Sequence, residues 1–341
     1  MKKIAILGAG PAGIEAAATL ANLQQPVTLF EKNPYPLTNI TDKAFLFPNF
    51  AAAEDVAADL CEKLNNSLIT LRLGTEVTQL LPSFIAGFQG ENPVGSPVWK
   101  VNEELYDAVL LATGYTPFDA HRKEELGYGI YPAVRTSLEM EKMIKEKNIL
   151  NTLGEQPKKI VFLQCVGSRD EKSGNHYCSK LCCVTAVKQA IEVKKILPSC
   201  ELSIFYMDLR MWGQHFEELY RSAQQEYGVN FVRGRISEAG GTFDGRVQIK
   251  AEDTLLGRPL KMTADLLILM VGMEASKGTR QLSEMCHICG DYGFAQSLDP
   301  HLHDCLTSAL NLFVAGSCKR PMTLTDALND GRAAALEIMK K

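Results

Sequence analysis

The sequence predicts an α/β fold of two parallel-sheet units, each organised around a strand that runs through a loop into a helix. Three observations carry this. Near the N-terminus an apolar run over residues 3–8 leads through Gly8-Ala9-Gly10-Pro11-Ala12-Gly13 into the helical "IEAAATLANL". Midway, "KKIVFL" leads through a long loop into the helical "VTAVKQAIEVKK". Further β-branched runs lie between helical stretches, the alternation expected of strands crossing over through helices.

Taken in order, "PVTLFEK" is the second strand and ends at Glu31, and "DAVLLATGY" (107–115) is a buried strand entering a Thr-Gly turn. The second series begins with "KKIVFLQC", its helix, and "CELSIFYMD". The runs "GVNFVRGRISE", "GRVQIKAED" and "DLLILMVGM" add strands, and "FEELYRSAQQEYG" reads as a half-buried helix. "LNLFVAGSC" is the last strand and "TLTDALNDGRAAALEIMKK" a closing helix. The expected division is 1–120 with 277–341 for the first unit and 121–276 for the second.

Composition sets limits. The 341 residues are 46% hydrophobic and 22% charged with net charge −4, a balance that suits about two globular domains and argues against a broad nucleic-acid-binding surface. The longest apolar runs fall well short of the roughly 20 residues that span a bilayer. The N-terminus imitates an export signal, but three glycines, Pro11 and Glu15 interrupt it. The expected location is the cytoplasm, where clustered cysteines among the ten present serve metal or redox chemistry more often than disulfides.

Gly8, Gly10 and Gly13 fit G-x-G-x-x-G directly after a strand. Such glycines permit a tight turn, close approach of a pyrophosphate and close helix–strand packing, while the helix N-terminus faces the anion. Glu31 at the next strand's end is placed for ribose hydroxyls. The unit is therefore expected to be Rossmann-like and dinucleotide-binding. "LLATG" and "LFVAGSC" resemble return segments of FAD proteins with two dinucleotide-binding domains, so FAD is preferred to NAD. Thr323 with Asp326, or Thr325 alone, caps the closing helix and leaves a positive dipole end for the flavin pyrimidine. The cofactor-binding set is then Gly8, Gly10, Pro11, Ala12, Gly13, Glu31, Lys32, Val77, Ala112, Thr113, Gly114, Gly316, Ser317, Thr325, Asp326 and Ala327.

The second loop lacks a glycine fingerprint and carries Cys165, Cys178, Cys182 and Cys183 in the pattern C-x12-C-x3-C-C. Paired CxxC knuckles of the usual zinc type are absent, and a bond between neighbours Cys182 and Cys183 would be strained. Four thiols at a helix start suit a [4Fe–4S] cluster. Spacing alone leaves that reading beside zinc and buried thiols.

The segments "ATGYTPFDAHRKEELGYGIYPAVRTSLEMEKM", "QCVGSRDEKSGNHYCSKLCC", "YMDLRMWGQHFEELYRSAQQEYGVNFVRGRISE" and "LFVAGSCKRP" resemble the heterodisulfide reductase A-subunit family. The resemblance covers most of the chain. It implies a thioredoxin-reductase-like fold, with the four cysteines holding a [4Fe–4S] cluster near FAD. It also implies heterodisulfide-reductase-like B and C subunits as partners, association of two copies, and an electron-transfer role. The ferredoxin-type CxxCxxC segments and extra N-terminal domain of many members have no counterpart here, and "PLTN" replaces the double glycine after the ribose acid. The compact form looks most like the A subunit of the related complexes of sulfur-oxidising prokaryotes. Lys188, on the helix after the cysteines, is a candidate for reaching the flavin ring or equally a solvated side chain.

Cys286 and Cys289 in "CHIC" are a candidate redox pair or ordinary thiols. Cys318 is expected to pack near the flavin edge, and Cys61, Cys200 and Cys305 read as structural; His176 lies in the cysteine loop without being needed as a ligand. Two other functions compete with electron transfer: an NAD(P)H-dependent disulfide reductase using Cys286 and Cys289, and a zinc-stabilised FAD-binding scaffold.

Overall fold

The computed structural model describes residues 2–89 and 92–340. The chain forms two compact units, Met1–Thr41 with Glu54–Thr116 and Glu274–Lys341, and Asp42–Ala53 with Pro117–Met273. Asp42–Ala53 groups with the second because Ala44, Phe47 and Phe50 pack against that unit's core.

In the first unit a five-stranded parallel sheet runs in the order Leu312–Val314, Ala108–Leu111, Ile4–Leu7, Val27–Phe30, Ile69–Arg72. The first four strands are buried at every position, as a parallel sheet covered on both faces requires. The strand feeding the glycine loop is thus central. Its helix, Pro11–Asn22, starts with proline at a position where no N–H is needed.

The closing helix, Leu324–Lys340, packs tightly on that helix. A Cβ on Gly331 would lie 2.3 Å from the Ala12 carbonyl oxygen, so only glycine permits the approach. The buried Glu15 accepts from Lys63 at 2.6 Å and Arg332 at 2.7 Å, tying the two helices together. Burial pushes its carboxyl up, but the two cations outweigh this and hold it below the usual range. A separate antiparallel sheet, Leu80–Gln89, Asn92–Val101 and Glu104–Tyr106, was not foreseen; its strands contain Pro82, Pro93 and Pro97, residues that a central strand would exclude.

The second unit repeats the plan. Its parallel sheet runs Val134–Thr136, Leu266–Val271, Lys159–Val166, Glu201–Tyr206, Asn230–Arg233, again with the loop-feeding strand central. Helix Cys182–Ile196 buries Val184, Val187 and Ile191 in the cluster that holds Phe162 and Ile204. An antiparallel sheet, Ile236–Gly241, Val247–Asp253 and Arg258–Ala264, shares the opposite core, which contains Val161, Leu163 and Phe205. Helix Phe216–Gln225 is half-buried through Leu219 and Ala223, as read from sequence.

Gly331→Ala tests the helix contact. The added methyl must push Ala12 away, an overpacking cost of about 1–3 kcal/mol. Thermal unfolding should show a lowered midpoint; an unchanged one would mean the two helices separate freely.

Candidate functional site: two helix N-termini

In the first unit the glycine loop rests on the Ala112–Thr113 turn. Gly8 has φ +112°, and a Cβ there would lie 2.4 Å from the Ala112 carbonyl oxygen. A Cβ on Gly13 would strike the Gly8 carbonyl at 1.9 Å. Gly10 caps the helix without a side-chain hydrogen bond, and the space beside it is open to 4 Å. Tight packing beneath and free space above the helix start are what a pyrophosphate cradle needs. Gly316 comes up against Ala12, where a Cβ would lie 2.8 Å from the Ala12 methyl. The dinucleotide group therefore fits.

Glu31 is half-buried at its strand end, with one carboxylate oxygen accepting from Ala9 N and the other from Asn33 N, both at 2.9 Å. Lys32 is exposed, and Val77 packs on the core cluster containing Phe30 and Trp99. The cap of the closing helix is Thr323: its hydroxyl accepts from Asp326 N at 3.1 Å, and the Asp326 carboxylate accepts from Thr323 N at 3.3 Å. Thr325 is exposed. Gly316 N donates to Asp330 at 2.6 Å, and the buried Lys319 bridges Asp330 and Asp304, each at 2.8 Å. This brace around the last strand's end was missed, its only trace being the charges of "CKRP" and "LNDGR".

In the second unit the cysteine loop is a tied structure. Asn175 Nδ2 donates to Gly167 O at 2.9 Å, Tyr177 OH to Met273 O at 2.7 Å, and Met273 N to Ser179 Oγ at 2.8 Å. Cys165 itself sits at φ +60°, in the irregularity between Leu163 and Val166 where the strand shifts register before its end. Cys182 and Cys183 open the helix, whose cap Leu181 supplies no side-chain bond. Backbone N–H groups of Lys180 and Arg210 point at the sulfurs of Cys178 and Cys183, at 3.3 and 3.4 Å.

The four thiols feel one another. Burial pushes Cys165 up to about 11, with Cys183 and Cys178 adding repulsion and Arg169 opposing it. Burial also raises Cys182 well above the ordinary thiol value, and the other three cysteines add to the shift. The Cys183 thiol is raised by burial too, against the Arg210 N–H and the charges of Arg169 and Arg210. Among the described residues no three His, Cys, Asp or Glu side chains form a preassembled metal site. The donor chemistry nevertheless fits a soft, anionic centre: four coupled thiols, two N–H···S bonds and a nearby cation. Arg169 Nη1 is buried without a hydrogen-bond partner, and so are both polar atoms of the Gln164 amide, the residue before Cys165.

Lys188 is not the solvated residue of the alternative reading. It is 1% exposed and donates to Glu141 at 2.7 Å and to Phe45 O at 2.9 Å, with Glu192 at 3.2 Å. Its ammonium is thus committed inside its own unit. The remaining cysteines are all free. Cys286 is buried with its sulfur toward Leu80 O, and burial pushes it up to about 12, while Cys289 is exposed. Cys318 is fully buried against Leu111 O and Ala315 O, and burial raises it to about 12. His176 is exposed.

Known proteins share this plan. Residues 2–162 match the pyridine nucleotide-disulphide oxidoreductase family. Lactococcus lactis thioredoxin reductase shares the fold at TM-score 0.68 and 16% identity, covering 100% of this chain and 98% of that one. T. acidophilum thioredoxin reductase does so at 0.66 and 17%, covering 100% and 99%. The class these likenesses define is one of fold, the two-unit architecture of the thioredoxin reductases.

The A subunit of the H2/formate:CoB-CoM heterodisulfide,ferredoxin reductase of Methanococcus maripaludis is 41% identical over 237 residues, which is 67% of this chain and 36% of the relative. Its counterpart in the ferredoxin/F420H2-dependent enzyme of Methanosarcina acetivorans is 28% identical over an alignment of 425 residues, covering 99% of this chain and 53% of the relative. The chain belongs to the heterodisulfide reductase A-subunit family and spans roughly a third to a half of the length of these relatives. No helix among the described residues is long and apolar enough to cross a membrane.

The buried charge network makes a pH prediction. Burial, against Lys188, raises the Glu192 carboxyl from its ordinary 4.5 to about 7. A raised carboxyl favours the folded state while protonated, so its contribution is full below the ordinary value and is lost as pH rises toward 7. The loss is on the order of 3 kcal/mol. Denaturant titrations between pH 4.5 and 7.5 should show this slope in the wild type and a flatter one in Glu192→Gln; equal slopes would exclude the assignment.

Proposed function

We propose that the chain is the electron-transfer flavoprotein subunit of a heterodisulfide-reductase-like complex, with FAD in the first unit and a [4Fe–4S] cluster on Cys165, Cys178, Cys182 and Cys183. The observation that carries the reading is the substitution of chemistry at one position of a repeated plan. Where the first unit has an open glycine cradle, the second has four coupled thiols with N–H donors aimed at two of them. Bound FAD would take up electrons in pairs or singly, and the cluster would exchange them one at a time.

The protein's own part is positioning and electrostatics. Gly10 and the uncapped helix start receive the pyrophosphate, and Glu31 accepts from ribose hydroxyls. The Thr323-capped helix would offer its positive end to a bound flavin. Arg169 and the uncapped start of helix Cys182–Ile196 favour thiolate over thiol, which metal ligation requires. The partners are heterodisulfide-reductase-like B and C subunits, a second copy of this chain completes a homodimer, and sulfur-compound oxidation in the cytoplasm is the process served. Disulfide reduction through Cys286 and Cys289 is disfavoured, since Cys286 is a buried thiol held far from its thiolate.

Anaerobic purification should give one FAD and about four iron atoms with matching acid-labile sulfide per chain, as ligation by four cysteines implies. Cys182→Ala should lose the iron while flavin stays bound; stoichiometric zinc without sulfide would refute the proposal. Glu31→Ala should release FAD about tenfold more readily while iron is retained, the effect of losing a charge-assisted hydrogen bond. Flavin titration reads it, and an unchanged affinity would mean that another group holds the ribose.

A further inference from the structure

The loop that follows strand Glu201–Tyr206 closes over one of the thiols. Arg210 N donates to the Cys183 sulfur at 3.4 Å, and that sulfur lies 3.8 Å from Asp208 O. Cys183 itself is buried, so this loop is its cover. Just beyond Arg210, Met211 packs into the core cluster while Trp212 is left 69% exposed. The indole stands 5.6 Å from the Arg210 guanidinium carbon. Leaving so large an apolar ring in water is unfavourable, and Trp and Arg are the residues that most often anchor protein interfaces.

The charges around the loop are lopsided. Arg169 pairs with Asp208 at 2.6 Å and Arg233 approaches the same carboxylate at 3.9 Å. Arg210 adds a third positive charge felt by Asp208. Three arginines share one aspartate, so this face carries excess positive charge although the whole chain is at −4. Glu217 and Glu218 lie beyond, in the first turn of helix Phe216–Gln225, where they complement its N-terminus.

We infer that the loop Met207–Gly213, with Trp212 at its centre and Arg169, Arg210 and Arg233 around it, is the docking face for an acidic iron–sulfur electron-carrier protein. This rests on the proposed cluster at the cysteines. The carrier's acidic surface meets the arginines, the indole is covered, and the carrier's centre is brought opposite the cover of Cys183. One electron then passes from the reduced carrier to the chain's cluster: the carrier is oxidised by one electron and the cluster reduced by one, with no bond made or broken.

The test uses the full chain, reconstituted anaerobically with FAD, iron and sulfide, against a reduced acidic 2[4Fe–4S] ferredoxin in stopped flow. The small carrier reduced methyl viologen serves as control. The second-order rate with ferredoxin should fall about tenfold between low and high salt, as steering by opposite charges requires. Trp212→Ala and Arg233→Glu should each lower the ferredoxin rate about tenfold at low salt, with iron content and the viologen rate unchanged. Salt-independent rates or unaffected variants, with iron bound, would overturn the docking face alone. Variants that slow ferredoxin and viologen equally would also overturn it, because the damage would then lie at the cluster. A chain that binds no iron would overturn the underlying proposal as well.

Discussion

A helix that starts at the end of a central parallel strand leaves its first N–H groups without partners inside the helix, and everything else here is arranged around that deficit. It occurs twice. In each unit the strand that feeds the loop is third of five, so the helix start lies at the carboxyl edge of the sheet's middle. Neither helix start is closed by a side chain. Both therefore favour negative charge, and what differs is only what the loop brings to them. Gly10 brings nothing and leaves room for a ligand's phosphates, whereas Cys182 and Cys183 bring sulfur.

The two solutions have different costs. A glycine cradle needs close packing beneath it, supplied where Gly8 lies on Ala112 and Gly331 on Ala12. A thiol nest needs relief from burial and from its own mutual repulsion. Desolvation is the largest cause raising Cys165, Cys182 and Cys183, and neighbouring thiols add to it at each. Arg169 opposes the rise at Cys165 and Cys183, and the backbone N–H of Arg210 adds to the relief at Cys183, but burial still wins at each. A positive metal centre would attract each sulfur and so outweigh the repulsion between them, which makes the loop's chemistry intelligible as a ligand set rather than as core packing.

The glycine loop, Glu31, the two strand–loop–helix units and the Thr323 cap were legible because each rests on local chain chemistry: a turn that needs glycine, an acid at a strand end, a hydroxyl one position before a helix. Residues whose roles depend on distant partners were not. Glu15 read only as a charge interrupting an apolar run, yet it joins Lys63 and Arg332, residues far apart in sequence. The sheet Leu80–Gln89, Asn92–Val101 and Glu104–Tyr106 was not foreseen, and its strands contain prolines that a small antiparallel sheet tolerates better than a central strand does. The solvated alternative for Lys188 fails because helical spacing says which face a residue shares but not what lies opposite. Here Glu141 and the chain at Phe45 lie opposite.

That network bears on the thiols through the helix they share. A buried ion pair is weak evidence for stability, since desolvation offsets most of the attraction, but it is demanding about geometry. Lys188 and Glu192 are one turn apart on helix Cys182–Ile196, and both are almost fully buried. Rotating the helix by a single residue would turn the buried Lys188 ammonium away from Glu141 and from Phe45 O, the partners outside its own helix. The same rotation would swing Cys182 and Cys183 by about 100°, since a helix turns once every 3.6 residues. The charges in the helix interior therefore fix the angle at which its first turn presents sulfur, a constraint that apolar packing, tolerant of small slips, would hold less strictly.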